Sequence, residues 1–434
     1  MGEVLDVVVI GAGSAGLGVS YFLKQQGCEH KVLDGGRIGE SWRTQRWDSF
    51  RLNSPTIRSV LPGDSYRGPD PWGAITHHEF VSYLEDYAKR HCLPVSTQTP
   101  VKELTRENGV FQVTTARGVL LARNVVIATG DQNRQVRPPE SADLPVELRQ
   151  VDSSAYRNAA QLEHGAVLVV GSGQSGGQIA EDLALAGRVV FLATSRNGRW
   201  VRRYRGGNIL NWLTLSGFLD VPRKELVLPS GKVPARALVG ATHTISLQSL
   251  SAQGVVLLGR FRGMENDSLV FGDELHANMR FADEVSANTK RLVDAYIERA
   301  GLDAPPAEGD PAETVEPRIP DPLIRAMDWR ACGVRSVVWC TGFTGDFTWV
   351  HLPGALNAVG QPVHADGVGA VPGLYFAGLD FGSTRKSGTI PALAEEAARL
   401  VERLVKGNAT PSCMLGDSER KNGSEFPRSP LNLS

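Results

Sequence analysis

The sequence predicts an α/β protein with two Rossmann-like dinucleotide-binding domains. Three observations carry that prediction: a GxGxxG turn at Gly11, Gly13 and Gly16, a second at Gly171, Gly173 and Gly176, and an uncharged apolar run directly before each. The first run, residues 7–10, is continuously apolar and β-branched, the pattern of a strand buried on both faces. Residues 17–26 carry helical spacing, and 31–34 read as the next strand. The same order returns about 160 residues later as strand 166–170, helix 178–186 and strand 188–193.

Between the two units, residues 79–90 read as a helix, with His77-His78 at its N-terminal end. Residues 110–116 and 119–123 read as a hairpin around Arg117-Gly118, and 124–128 as a further buried strand ending at Thr129-Gly130. The stretch 206–330 gives weaker signals: short strands within 242–273, a helix over 286–300, and a loop over 303–322 rich in Pro, Ala and acid. Strand 335–339 then runs into Thr341-Gly342-Phe343, strand 374–377 ends at Gly378, and 390–405 forms a closing helix. The expected division is 1–160 plus 331–406 as the first nucleotide domain and 161–330 as the second. A polar tail, 407–434, is expected to be disordered.

Composition narrows the partners. The chain has 434 residues, 46 basic against 47 acidic, a balance that argues against nucleic acid or an anionic membrane. Residues 4–23 are nearly free of charge, yet Asp6 interrupts them, no basic segment precedes them and glycines recur, so neither a signal nor an anchor is expected. The five cysteines show no CxxC spacing, and no His or Cys cluster has metal-ligand spacing, so reduced thiols in a cytoplasm and no metal are expected. A homodimer is an assembly the sequence leaves open.

The two turns differ in a way that bears on chemistry. In each, the first glycine permits the tight turn, the second lets a pyrophosphate approach the backbone, and the third packs helix on strand. Ser14 opens the first helix, and Gln174 and Ser175 open the second. Asp34-Gly35 lies 18 residues past Gly16, where a carboxylate accepts hydrogen bonds from ribose hydroxyls. The second unit has Ser195-Arg196 there, with Arg199 and Arg202 following. A carboxylate would repel the 2′-phosphate of NADP, whereas a hydroxyl and a guanidinium bind it. FAD is therefore assigned to the first turn and NADPH to the second, against the alternative that Arg196 is a solvated surface residue. Two such sites suit flavoproteins of the disulfide-reductase architecture, but the reductases' redox-active cysteine pair has no counterpart here.

The turn at 11–17, Gly39-Glu40-Ser41-Trp42-Arg43, Asp48-Ser49-Phe50-Arg51-Leu52-Asn53-Ser54-Pro55 and the second turn together resemble the class B flavin-dependent monooxygenases. That group includes the flavin-containing monooxygenases, the YUCCA enzymes and the N-hydroxylases. Ala128-Thr129-Gly130 and Cys340-Thr341-Gly342-Phe343 are similar to its two strand-end turns. The resemblance implies an NADPH-dependent enzyme that forms a C4a-hydroperoxyflavin from O2 and oxygenates a small organic substrate at nitrogen, sulfur or a keto group. Asn53 matches the asparagine placed over the flavin; an amide donates and accepts while remaining uncharged. A turn residue before Pro55 is the competing reading of Asn53. Trp42 and Arg43 would lie near the flavin, although Trp42 equally suits a core position. Asp380 would face the ribityl chain, and Thr384, Arg385 and Lys386 are either cofactor contacts or a solvated run. One departure stands out: Asp152 occupies the histidine position of the family's FxGxxxH motif. The alternative function is a flavin oxidoreductase or NADPH oxidase that moves hydride without oxygenating a substrate.

Overall fold

The computed structural model describes residues 3–407; the tail expected to be disordered lies outside them, apart from Gly407. Two parallel sheets organise the chain. In the first, Leu374–Phe376, Gly118–Ile127, Val4–Ile10, His30–Leu33 and Val95–Ser96 run parallel, extended at one edge by the short pairs His364–Ala365 and Val368–Gly369. The second holds Val256–Leu258, Val190–Ala193, Ala166–Val170, Val334–Trp339 and Arg149–Asp152, also parallel.

Continuous apolar runs are required at the centre because both faces are covered. Val7 and Val9 enter one core while Leu5, Val8 and Ile10 enter another across the sheet. Val167 and Val169 are divided in the same way from Ala166, Leu168 and Val170. Each such Val, Leu or Ile side chain contributes about 1.5–3 kcal/mol relative to exposure. Helix Ser14–Gln25 follows the first strand and packs on the closing helix Ile390–Gly407, while Gln174–Leu185 follows the second sheet's central strand.

Several elements depart from expectation. Residues 118–127 form one strand, because the hairpin arm continues without a break into the buried central strand, and Val101–Glu107 adds a partner to the hairpin. The helix expected over 286–300 runs Leu275–Ala300. Within 242–273 a capped helix, Leu247–Ala252, stands beside the short strands. Arg149–Asp152 and Val334–Trp339 pair within the second sheet, although the sequence division counts both with the first domain. Sheet pairing crosses that division because the chain passes twice between the units. Among the described residues, no helix is long and apolar enough to cross a membrane.

Candidate functional site

The two turns superimpose in logic, atom by atom. Gly11 adopts φ +112°, and a Cβ there would lie 2.5 Å from the Ala128 carbonyl oxygen; Gly171, at φ +102°, would meet the Cys340 carbonyl oxygen at 2.4 Å. A Cβ on Gly16 or Gly176 would collide with the carbonyl of Gly11 or Gly171 at 1.8 and 1.7 Å. These four glycines are therefore structural requirements. Gly13 and Gly173 differ, since nothing lies within 4 Å of a Cβ on either. Both are also the N-caps of their helices, and neither helix has a side-chain cap. Open space in front of uncapped N–H groups, at the positive end of a helix dipole, is a cradle for an anion.

The strand ends beside the turns separate the two sites. Gly11 N–H donates to Leu33 O at 2.7 Å, and Gly171 N–H to Ala193 O at 2.9 Å, so Asp34 and Thr194 hold equivalent places. The Asp34 carboxylate accepts from Ala12 N–H at 2.6 Å and Gly36 N–H at 2.8 Å, and burial raises its pKa above the usual carboxylate range. Gly35 is exposed beside it. Thr194 instead turns its hydroxyl inward to Leu258 O at 2.7 Å, and Ser195 pairs with Ser172 across the turn. Arg196 is exposed, with its guanidinium 4.3 Å from the Phe281 ring centroid. Arg199 and Arg202 do not join it: Arg199 is buried against Asp283 and Glu313, and Arg202 is buried beneath Asn53.

Asn53 lies on the seam between the two units. Its backbone oxygen accepts from Arg202 Nη1 at 2.7 Å, and its Oδ1 accepts from Gln178 Nε2 at 3.0 Å. Gln178 sits on the helix that begins at the second turn, and the same helix presents Gln174, which brackets Val239 with bonds of 2.6 and 3.1 Å. Ser14 is buried and Ser175 half-buried at the two helix starts. Trp42, on helix Glu40–Thr44, packs edge-on against Phe80 at 5.0 Å and lies under Arg46. Arg43 pairs with Glu85.

Thr129 and Gly130 follow the central strand of the first sheet. Thr129 Oγ1 is buried without a hydrogen-bond partner, and the space a Cβ of Gly130 would need is free. Asp380 N–H donates to Asp131 Oδ2 at 2.8 Å, and the Asp380 carboxylate is paired with Arg236. Thr341 and Gly342 instead reach the connection at residues 135–136: Thr341 Oγ1 donates to Val136 O, and Gly342 O accepts from Val136 N–H at 3.0 Å. Asp152 accepts from Arg137 Nε at 2.6 Å, an ion pair where the family motif has histidine. In the loop after Asp380, Lys386 is held by Asp220 and Glu395, and Arg385 stacks on Phe218.

Sequence reasoning missed Gln178, Asp131 and Arg236 as parts of this region, and named Arg202 only as one of the arginines that follow Arg196. Gln178 stands four residues after Gln174, on the same helix face, and Asp131 directly follows Thr129-Gly130, so both carried a local signal. Arg236 lies in the irregular stretch 227–240 and carried none.

The open cradles, the uncapped helix starts, the acid after the first unit and the unpartnered Thr129 hydroxyl fit one dinucleotide per unit. The comparisons with known proteins agree on the fold. Residues 8–207 match the family model described as pyridine nucleotide-disulphide oxidoreductase. The chain is 32% identical to a CzcO-like oxidoreductase of Geobacillus kaustophilus over 93% of this chain and 99% of that protein. It is 28% identical to the indole-3-pyruvate monooxygenase YUCCA8 of Oryza sativa, over 43% of this chain and 47% of that one. Among solved structures, a flavin-containing monooxygenase from Stenotrophomonas maltophilia aligns with a TM-score of 0.62 at 20% identity, covering 93% of this chain and 99% of that one.

Proposed function

The chain belongs to the CzcO-like oxidoreductases, within the class B flavin monooxygenase-like family, and on that premise we propose that it is an NADPH-dependent flavin monooxygenase acting on a small organic substrate. The observation that carries the reading is Asn53, held by its backbone and its amide between the first unit and the helix of the second turn. The chemistry a bound flavin would supply there is relay of two electrons from NADPH to O2, one oxygen atom going to the substrate and the other leaving as water.

Each residue has a stated part. Gly11, Gly13 and Gly16 with the Ser14 helix start hold the flavin pyrophosphate, and Asp34-Gly35 the adenosine ribose. Thr129, Gly130 and Asp380 line the flavin side at the strand ends, with Trp42 and Arg43 closing it. Gly171, Gly173 and Gly176, with Gln174 and Ser175, hold the nicotinamide dinucleotide, and Ser195 and Arg196 its 2′-phosphate. Thr341 and Gly342, which bond to Val136, are assigned as cofactor contacts at the end of strand Val334–Trp339. Asn53 keeps a neutral donor at the seam, where a fixed dipole replaces water.

Isotopically heavy dioxygen tests the reading. The holoenzyme, NADPH and a panel of thioethers, amines and ketones should yield a product carrying the heavy atom. Unlabelled panel members with peroxide formed in step with NADPH oxidation would favour the hydride-only alternative.

A further inference from the structure

Two arginines three residues apart are both buried, Arg199 at 3% and Arg202 at 4% exposure, yet only one is neutralised. Arg199 donates to Asp283 at 2.7 Å and Glu313 at 2.8 Å. Arg202 donates to two neutral carbonyls, Asn53 O at 2.7 Å and Gly240 O at 3.2 Å, and its Nη2 is buried with no partner. Among the described residues no carboxylate pairs with it; the charged neighbour acting on it is a second cation, Arg203. Burial lowers its pKa to about 10, which leaves the guanidinium charged at neutral pH. A buried charge without a counter-charge is strongly unfavourable, and an anion brought beside it would offset that cost.

Arg202 also lines a cavity of about 240 Å³. Its walls include Arg203, Asn208, Thr242 and Trp72, with one acid, Asp70, on the segment that runs beside residues 51–57. Through Arg202, which lines the cavity and donates to the Asn53 backbone oxygen, the cavity is linked to the residue assigned above to the reacting centre.

We propose that Arg202, assisted by Arg203, anchors the carboxylate of an organic substrate in this cavity, with the substrate's planar or apolar body against Trp72. The inference rests on the reading of Asn53 as facing the flavin. It makes the preferred substrate an organic anion and Arg202 a binding residue whose fork engages an oxyanion.

Equilibrium binding to the flavin-loaded enzyme, by calorimetry, tests this with three probes of one shape: phenylacetate, phenylacetamide and phenethylamine. Phenylacetate should bind about tenfold or more tightly than the amide, the worth of one charge-assisted contact. Arg202→Gln should abolish that preference, Arg202→Lys should keep part of it, and Arg203→Gln should weaken it less. Flavin content and melting temperature identify a variant that has lost its fold, and the exposed Arg203 position then carries the test. Equal affinity for all three probes, or no saturable binding of phenylacetate, would overturn the proposal. Tighter binding of the amine would assign the cavity to Asp70 instead. Loss of NADP+ affinity in Arg202→Gln, with phenylacetate binding unchanged, would assign Arg202 to a nucleotide phosphate. A preference for phenylacetate in an enzyme that only makes peroxide would leave the anchor standing and remove the oxygenase reading.

Discussion

The first and second glycine turns have nearly the same backbone and different chemistry. Gly11 and Gly171, Gly16 and Gly176, Gly13 and Gly173 meet matching surroundings. What differs is one strand away: a half-buried carboxylate at Asp34, against an inward-turned Thr194 hydroxyl and an exposed Arg196. On the proposed reading, each turn holds a dinucleotide and the strand end beside it selects which one. Nucleotide identity is therefore separable from nucleotide binding by substitution.

The largest effect should come from filling the open cradles. Gly13→Leu places a side chain where no protein atom lies within 4 Å of the Cβ, so the protein should fold and lose its flavin, read as a colourless product with native secondary structure. Gly173→Leu should stay yellow while reduction by NADPH in a stopped-flow trace falls to background. Loss of flavin from the second variant and not the first would reverse the assignment of the two turns.

The arginines after the second strand sharpen the contrast. Arg199→Ala leaves Glu313 with Lys290 alone and Asp283 to solvent, and should lower stability in denaturant unfolding by about 1–3 kcal/mol, with cofactor preference unchanged. Arg196→Ala should leave stability alone and remove roughly 1.5–3 kcal/mol of the preference for NADPH over NADH, measured as a ratio of kcat/KM. An unmodified enzyme that uses both cofactors equally would break the assignment of Ser195 and Arg196.

A smaller effect separates the strand ends by pH. Burial, with Asp380 nearby, pushes the Asp131 carboxyl up to about 6. Its folded pKa lies above its unfolded value, so the stability tied to its protonated form is present at low pH and is lost as pH rises from about 4 through about 6. Against an Asp131→Asn variant, the native protein should lose relative stability across that window and run parallel above it. A constant difference between the two would contradict the buried environment of Asp131.

Much of the fold was legible because its strands are buried on both faces, and unbroken apolar runs at residues 7–10 and 166–170 mark such strands directly. The glycine turns were equally legible, since each glycine answers to a local steric demand. The stretch 206–330 was not, because its order comes from long-range partners. Helix Leu275–Ala300 begins with residues that mix polar and apolar types, and its early buried positions, Leu275, Asn278 and Met279, face the second sheet's cores and Thr194. Sheet membership of Arg149–Asp152 was hidden for the same reason: its partner, Val334–Trp339, is remote in sequence. In the candidate site, residue types in motifs were readable, whereas Arg202 and Arg236 act through contacts with residues more than a hundred positions away. Arg202 in particular stands in the sequence as one of two arginines following Arg196, and only its burial beneath Asn53 sets it apart.

The proposed oxygenase activity turns on Asn53, at the seam of the two units. Rapid mixing of the reduced, NADP+-bound enzyme with O2, followed through the flavin spectrum, tests it most directly. Oxygen should be consumed well before the oxidised spectrum returns, because on the proposed reading Asn53 offers a neutral donor beside the reacting centre. Asn53→Ala should shorten that delay by removing the donor, and Asn53→Asp by adding negative charge, while reduction by NADPH changes far less in either. Immediate return of the oxidised spectrum with stoichiometric peroxide, unaltered by both substitutions, would contradict the account.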